Sequence, residues 1–194
     1  MVRREASTDP RAVRTHDALV NATIELLEEQ PASDLSVTTI VQRARVSRQV
    51  FYEHFADRDA VLLAAGKAVF GPVYTQFADH FAPDDGYPHQ VAALITGLRD
   101  REPAVRALID SSVQGEITNY LLDILAEVIE PELRRYLDKV GPKVEDGMVQ
   151  DTARFLAAGT QAVFKRGLLD HTVPEEVGMR IETVRRVLGA AAQS

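Results

Sequence analysis

Polar side chains that can donate hydrogen bonds to an anionic partner are concentrated in one short segment of this sequence. Ser47, Arg48 and Gln49 stand together, and Tyr52 and His54 follow within the next five residues. Hydroxyl, guanidinium, amide and imidazole groups all donate to oxygen acceptors. These residue types at this spacing favour recognition of a polar, negatively charged partner.

The apolar residues around this segment predict two short helices. They form two runs with helical spacing that are out of phase with each other: Val37, Ile40, Val41 and Ala44, then Val50, Phe51 and Phe55. Val46 lies between the runs, where a buried turn residue would hold the two helices together. An isolated helix of under about 12 residues is marginal in water. The sequence therefore predicts a packed pair of helices.

Each predicted helix begins with a serine and lacks an acid in its first turn. Ser36 and Ser47 stand one residue before the runs, where a hydroxyl can accept a hydrogen bond from a first-turn amide. Acids are favoured in a first turn by the helix dipole, so their absence leaves both N-termini open to an outside anion. Helix N-termini bind phosphate through free amides. The pattern is typical of a helix-turn-helix that binds DNA.

The stretch RVSRQVFYEHFADRDAVL resembles the most recognisable part of the TetR family of bacterial transcription regulators. The match runs from a first helix at Ala18 to Leu27 through Leu62, and the order of the later helices also fits. The resemblance implies an all-α fold with an N-terminal three-helix helix-turn-helix DNA-binding domain, followed by a larger helical ligand-binding and dimerisation domain. The expected divisions are a flexible arm at residues 1–10, the DNA-binding domain at residues 11–56 and the helical body at residues 57–194.

The resemblance also implies which residues bind DNA. Ser47 begins the recognition helix, Tyr52 and His54 contact phosphates, and two threonines anchor the preceding helix. The residues it implies are Thr38, Thr39, Ser47, Arg48, Gln49, Tyr52, His54 and Arg58, the last as a phosphate contact from the fourth helix. Arg45 is a further candidate because it places a cation in the turn.

Two positions depart from the family pattern. Arg45 stands where the turn commonly has Gly, and Val41 stands where a small Ala is common. Arginine in a left-handed turn costs about 1 kcal/mol, yet it adds a cation near the duplex. Either Arg45 strengthens the contact with DNA or the turn has a different shape.

Each of these residues also has a purely structural interpretation. Ser47 would cap any helix, and Arg58 would suit any polar surface. Tyr52 follows Phe51, and adjacent residues on a helix do not face the same way. If Phe51 is in the core, Tyr52 faces outward beside His54, which favours binding.

The charge balance neither requires nor excludes a nucleic-acid partner. The formal net charge is -7 over 194 residues, whereas affinity for DNA comes largely from Lys and Arg. Residues 1–66 carry eight arginines and ten acids. The arginines cluster in the arm and the motif, so a local positive surface on an acidic protein is expected. Arg3 and Arg4 reach DNA from the arm, or the arm is simply disordered.

Composition bounds the compartment and the redox chemistry. Cysteine is absent, which excludes disulfides and thiol chemistry. No apolar stretch approaches the roughly 20 residues of a membrane span, and the N-terminus does not resemble a signal peptide. We expect a cytoplasmic protein without a membrane partner and without a cofactor or metal.

The residues after the motif predict further helices. Asp57 caps a fourth helix, Gly71-Pro72 interrupts it, and Tyr74 to Phe81 continue in a new direction. Residues 115–140 carry two apolar stripes, which predicts a central helix buried on two sides that Pro131 bends or divides. The stripes are Ile117, Leu121, Ile124 and Val128, and Leu122, Leu125, Ile129 and Leu133.

The last two predicted helices, at residues 145–169 and 174–192, carry the argument for a homodimer. One carries a small-residue surface and the other an apolar stripe: Ala157, Ala158, Gly159 and Ala162, then Val177, Ile181, Val184, Leu188 and Ala191. Two such helices from each chain would form a four-helix interface, and the resemblance places the dimer there. The alternative is that both surfaces complete the core of one chain. A two-fold dimer would place two recognition helices on a palindromic operator.

The resemblance implies a small-molecule effector bound within the helical body, whose arrival moves the fourth helix and releases the protein from DNA. The candidate ligand residues are Phe70, Tyr74, Phe77, Gln114, Tyr120, Phe155 and Gln161, with Asn119 and Phe164 beside them. Aromatic residues at helical spacing are more often core than pocket. We expect Gly71-Pro72 to shape the pocket or transmit its state.

Two other classes of function compete with a regulator. An enzyme is disfavoured because the five histidines are scattered and no HExxH, GxSxG or Gly-rich phosphate loop occurs. A dimeric helical interaction protein with little or no specific DNA binding is the alternative, and the acidic balance and Arg45 keep it open.

Overall fold

A computed structural model describes residues 9–81, 87–140 and 144–191, and the regular structure in these ranges is helical, which confirms the all-α prediction. A short 3-10 turn at Ala32–Asp34 joins the first two helices. The helices are α1 (Pro10–Glu29), α2 (Val37–Ala44), α3 (Arg48–His54), α4 (Arg58–Asp79), α5 (Tyr87–Arg99), α6 (Glu102–Ile109), α7 (Gln114–Val140), α8 (Asp146–Leu169) and α9 (Pro174–Ala191). Residues 1–8 of the expected arm lie outside the described residues, as do the side chains of Leu188 and Ala191.

The chain divides into two compact units. Unit 1 comprises residues 1–69 and 101–117, and unit 2 comprises residues 70–100 and 118–194. Unit 1 therefore contains α1, α2, α3 and α6 with the beginnings of α4 and α7. The functional division between residues 56 and 57 stays a prediction.

Helix α1 supplies the framework of unit 1, and it is longer than the predicted Ala18 to Leu27. The Asp9 carboxylate accepts a hydrogen bond from the Arg11 amide at 2.9 Å, and Pro10 occupies the first turn. Proline suits that position because its missing amide would have no helical partner there. Leu19 and Leu27 are buried on the face of α1, which packs against α2, α3 and α6.

Helix α4 continues through Gly71 and Pro72 to Asp79, so the predicted interruption is wrong. Proline inside a helix costs about 3 kcal/mol. Burying one large apolar side chain contributes roughly 1.5–3 kcal/mol, and Phe70, Tyr74 and Phe77 are all buried on this helix. Their burial outweighs the lost hydrogen bond. Asp57 does cap the helix as predicted, because its carboxylate accepts from the Ala60 amide at 2.8 Å.

Helix α7 also runs undivided through Pro131, so the predicted division there is wrong. The prediction of a helix buried along both stripes is wrong as well. Of the two stripes, only Ile117, Leu121 and Leu125 are buried. The remaining stripe residues are half-buried in the single chain: Leu122, Ile124, Val128, Ile129 and Leu133. The stripe pattern overestimated burial because the second half of the helix is only partly covered.

Unit 2 is assembled around α9, which packs against α5 and α8. Val177 is fully buried on α9, and an added Cβ at Gly167 of α8 would lie 2.4 Å from its side chain. Ile181 is also buried, whereas Val184 is 52% exposed. The predicted apolar stripe is therefore split between the core of the chain and its surface.

Candidate nucleic-acid interface

The turn between α2 and α3 is built around a left-handed arginine. Arg45 adopts φ 55° and ψ 40°, and its amide donates to the carbonyl oxygens of Val41 and Gln42. The Val46 amide donates to the Val41 carbonyl at 3.0 Å. These bonds close the end of α2 in the manner that glycine usually permits. The Arg45 side chain is exposed, so the turn presents a cation to solvent.

Both helices of the pair begin with the serine caps that the sequence predicts. The Ser36 hydroxyl accepts from the Thr39 amide at 3.1 Å, and the Ser47 hydroxyl accepts from the Val50 amide at 3.2 Å. The Thr39 hydroxyl lies 2.8 Å from that of Ser36. Thr39 is thus part of the cap of α2, in agreement with an anchoring role. The first turns of both helices contain no acidic residue.

Aromatic residues fix one side of α3 in the core of unit 1. Phe51 is fully buried and Phe55 is 6% exposed, with ring centroids 5.8 Å apart. Tyr52 packs edge-on to Phe51 but remains 49% exposed. The outward direction predicted for Tyr52 is therefore confirmed. Since the buried side is held by large rings, the opposite side presents its polar groups from a fixed support.

Two hydrogen bonds organise the polar side of α3. Arg48 donates through Nη1 to the Thr38 hydroxyl at 3.2 Å, which brings two of the predicted DNA-binding residues together across the turn. Gln49 donates through Nε2 to Glu53 Oε1 at 3.4 Å. All four of these residues are exposed. Exposed side chains that can donate and accept hydrogen bonds are suited to contacts with base edges in a major groove.

Histidine 54 lies at the end of α3 beside a histidine from α1. The His54 and His16 ring centroids are 6.4 Å apart in an edge-on arrangement. The His16 ring stacks on Phe55 with centroids 5.0 Å apart. The contact ties the first half of α1 to the end of α3. In the sequence His16 is one of several scattered histidines, and no local pattern links it to α3.

The arginines of unit 1 differ in how much of their charge is available to a partner. Arg43 pairs with Glu29 at 2.7 Å and Glu25 at 3.4 Å, and its hydrogen bond lowers the pKa of Glu29. Arg58 donates to Asp59 at 3.1 Å and approaches the Leu35 carbonyl at 3.5 Å. Arg43 therefore joins α2 to α1, and Arg58 connects α4 to the segment that precedes α2.

Glu53 is the residue on this surface that sequence reasoning missed. It lies four residues after Gln49, which places it one helical turn away on the same side of α3. The spacing is visible in the sequence, whereas the hydrogen bond from the Gln49 amide is visible only in the folded helix.

The candidate ligand residues do not all lie together. Tyr74 donates its hydroxyl to Gln161 Oε1 at 2.6 Å, and burial raises the pKa of Tyr74 above its ordinary value. Phe164 contacts the rings of Tyr74 and Phe77 edge-on, with centroids 6.3 and 6.1 Å away. These four residues form a cluster in unit 2.

The other candidates are placed differently. Phe70 is buried on α4, and the Tyr120 hydroxyl would lie 2.8 Å from a Cβ added at Gly71. Phe155 is 75% exposed on α8. Gln114 and Asn119 are exposed, and Gln114 belongs to unit 1. A ligand role for each of them stays a prediction.

The described residues contain neither a candidate metal cluster nor a candidate membrane-spanning helix. No cluster of three or more His, Asp or Glu side chains that could hold a metal ion occurs among residues 9–81, 87–140 and 144–191. In the same ranges, no helix combines the length and apolar character needed to span a membrane.

The comparison with protein families bears on the segment just described. Residues 19–65 match the family described as bacterial regulatory proteins, tetR family. The matched range includes α2, α3 and the serine caps. Together with the helix-turn-helix geometry, this match supports a regulator of the TetR family. This family consists of regulators rather than enzymes, in agreement with the interpretation of the sequence.

A curated relative matches a short stretch of this chain. It is the uncharacterized HTH-type transcriptional regulator YxbF of Bacillus subtilis (strain 168), with 32% identity over 60 residues. The match covers 30% of this chain and 16% of that relative. The chain therefore spans a small part of that relative's length.

Solved structures extend the similarity in fold to most of the chain. A putative transcriptional regulator from Pseudomonas aeruginosa PAO1 has a TM-score of 0.65 and 20% identity, covering 91% of each chain. The TetR family repressor AlkX from Dietzia sp. strain DQ12-45-1b, implicated in biodegradation of n-alkanes, has a TM-score of 0.57 and 18% identity. It covers 90% of this chain and 95% of that one. At these identities the likeness concerns the fold.

Proposed function

We propose that this protein is a sequence-specific DNA-binding transcriptional regulator. The observation that carries the proposal is the way α3 is held. Phe51 and Phe55 anchor the helix in the core, while Arg48 and Gln49 in its first turn are exposed. Arginine and glutamine make the most informative contacts with guanine and adenine in a major groove. A rigidly held helix that presents these two side chains is suited to reading a base sequence.

The remaining candidate residues fix the position of the protein on the duplex and do not read the base sequence. Tyr52 and His54 contact phosphates from α3, Arg58 from α4 and Arg45 from the turn. Contacts with phosphates fix the register and orientation of a protein on the duplex. Thr38 and Thr39 support the helix pair α2 and α3 through Arg48 and Ser36, respectively.

Residues 1–10 add an arm, and residues 11–56 form the functional DNA-binding domain. Such a regulator works in the cytoplasm, where bacterial DNA is.

The regulator acts as a homodimer through α8 and α9 of residues 57–194. Met148 and Phe155 are 60% and 75% exposed on α8, and Gly159 and Ala162 are exposed further along the helix. The spacings of seven, four and three residues place these side chains along one side of the helix. A continuous apolar stripe of this kind marks a surface that another protein covers.

A two-fold dimer sets the form of the operator. The two recognition helices meet successive major grooves on one face of the duplex, with half-site centres roughly 34–36 Å apart. The operator is therefore palindromic, with half-sites about one helical turn apart or a multiple of it.

The sign of regulation is repression relieved by a small-molecule effector bound in unit 2. Support comes from the name of AlkX, which is a repressor, and from the cluster in which the buried Tyr74, Phe77 and Phe164 meet the half-buried Gln161. An effector shifts the protein away from DNA only by binding one conformation more tightly than the other.

DNA fragments from beside the protein's own gene test the proposal in a binding assay at stated salt. We expect a sequence-selective shift with the wild-type protein and loss of selectivity, rather than of all binding, with Arg48→Ala. Absence of a selective shift at every reasonable concentration would favour the alternative, a dimeric helical protein that interacts with other proteins.

A further inference from the structure

Glu53 is an exposed acid on the side of α3 that the proposed function directs toward DNA. It lies one turn after Gln49 and accepts a hydrogen bond from Gln49 Nε2 at 3.4 Å. Both side chains are exposed. A carboxylate on this side lowers the affinity for any duplex because it repels phosphates. Its presence therefore calls for a role that offsets this cost.

The hydrogen bond determines which way the Gln49 amide faces. An ionised carboxylate can only accept hydrogen bonds, whereas an amide carries both an NH2 donor and an oxygen acceptor. Glu53 therefore pairs with the nitrogen of Gln49 and disfavours the flipped amide, in which two oxygens would face each other. One N–H is used by Glu53. The second N–H and Oε1 of Gln49 remain for a partner.

An amide presented in this way is complementary to adenine. Adenine offers N7 as an acceptor and the N6 amino group as a donor in the major groove, and a glutamine amide meets both at once. The same donor and acceptor order does not fit guanine, which offers two acceptors, N7 and O6. Holding the amide before DNA arrives also reduces the ordering cost of binding.

We infer that Glu53 is a positioning residue that orients the Gln49 amide to read an adenine in each half-site. The inference rests on the proposed function, since it concerns the same surface. Glu53 contacts no base in this arrangement. It acts through Gln49, and its negative charge lowers general affinity for DNA while raising discrimination at one base pair.

The test uses the full-length protein and a duplex selected by the wild-type protein from a randomised DNA pool. Competition binding then measures the affinity for every single base-pair change in one half-site. We expect Glu53→Ala to reduce discrimination at one A·T pair about tenfold, while binding to random-sequence DNA stays equal or becomes tighter. Glu53→Gln keeps an acceptor oxygen and should retain most of the discrimination. Glu28→Ala removes an exposed acid of α1 and serves as the matched charge control.

The double variant separates positioning from direct reading. Gln49→Ala should reduce discrimination at the same base pair as Glu53→Ala, and Gln49→Ala combined with Glu53→Ala should cause no further loss. Unchanged discrimination in Glu53→Ala would overturn the inference. So would a loss in the double variant that falls at a second base pair, because Glu53 would then read that pair itself. If the wild-type protein selects no sequence at all, the proposed function fails together with the inference.

Discussion

At the scale of single residues, Arg45 shows how a backbone constraint and a surface charge are combined in one position. Its φ of 55° is a conformation that favours glycine, yet the side chain is an exposed cation beside the start of α3. The sequence leaves open whether this turn keeps the left-handed shape or adopts a different one, and the φ of Arg45 shows the left-handed shape. The strain indicates that the cation contributes something that glycine cannot.

Replacing Arg45 with glycine should therefore separate stability from binding. We expect Arg45→Gly to raise the free energy of unfolding by about 0.5–1 kcal/mol, since the left-handed conformation no longer opposes a Cβ. Affinity for DNA should fall, and the slope of log affinity against log salt should decrease by about one. Urea unfolding and binding titrations at several salt concentrations measure both effects. Arg45→Lys is the control that keeps the cation, and an unchanged slope in Arg45→Gly would rule out a phosphate contact.

Substitutions at Tyr52 and Arg48 should have different kinds of effect on DNA binding. Tyr52→Phe removes only a hydroxyl from a half-exposed ring, so we expect weaker binding by the same factor for every DNA sequence. Arg48→Ala should change which sequence is preferred, because contacts with base edges carry the specificity. Competition binding with a panel of duplexes measures this partition. The opposite partition would reverse the two assigned roles.

At the scale of helices, local sequence patterns predict where α2 and α3 begin, but they do not predict the continuous course of α4. The serine caps depend on hydrogen bonds three residues apart, so the sequence alone contains them. The course of α4 depends on burial of Phe70, Tyr74 and Phe77 by other helices, which no local pattern reports. The direction of Val177 toward Gly167 could not be predicted for the same reason, since an apolar stripe does not state what covers it.

Pro72 lies in α4 just after the end of the unit 1 segment at Val69. We expect Pro72→Ala to restore one backbone amide donor to the helix and to raise its stability. If Gly71-Pro72 shapes the pocket or transmits its state, the same change should alter the effector response and the affinity for the operator. Binding titrations with and without effector measure both quantities. Unchanged values for both would contradict a role for this dipeptide in signalling.

Gly178 is required where α9 approaches α5. A Cβ at this position would lie 2.5 Å from the carbonyl oxygen and 2.6 Å from the Cα of Pro88. Backbone atoms cannot move aside as the end of a side chain can, so Gly178→Ala should destabilise the protein by about 1–3 kcal/mol. Thermal and urea unfolding measure the effect. Gly147→Ala is the matched control in α8 because nothing lies within 4 Å of its added Cβ, and equal losses in both variants would contradict the explanation.

At the scale of the whole molecule, the proposed regulator combines a DNA-reading unit with a helical body that we propose to dimerise. The exposed apolar side of α8 could be predicted only in part from the sequence. The sequence pattern indicates a small-residue surface that includes Gly159 and Ala162. The family resemblance makes Phe155 a candidate ligand residue, which stays a prediction, and its side chain is 75% exposed in the single chain. Aromatic residues at helical spacing do not reveal whether they face a core, a ligand or a second chain.

Phe155 is a sensitive position for the proposed dimer. Phe155→Glu places a charge in the proposed interface, and an unpaired buried charge is costly, so we expect dissociation into monomers. Affinity for a palindromic operator should fall steeply, because two half-sites are no longer bound together. Analytical ultracentrifugation and binding titrations measure the two effects. Val13→Gln, which alters an exposed apolar residue of α1, should leave the dimer intact, and a dimeric Phe155→Glu variant would place the interface elsewhere.

Selection of duplexes from a randomised pool by the wild-type protein tests the central claim most directly. We expect enrichment of a palindrome whose half-site centres are separated by roughly 34–36 Å. The base preferences in each half-site should change when Arg48 or Gln49 is replaced by alanine. Recovery of no enriched sequence, or of the same sequence from the wild-type protein and both variants, would contradict the claim that α3 reads DNA.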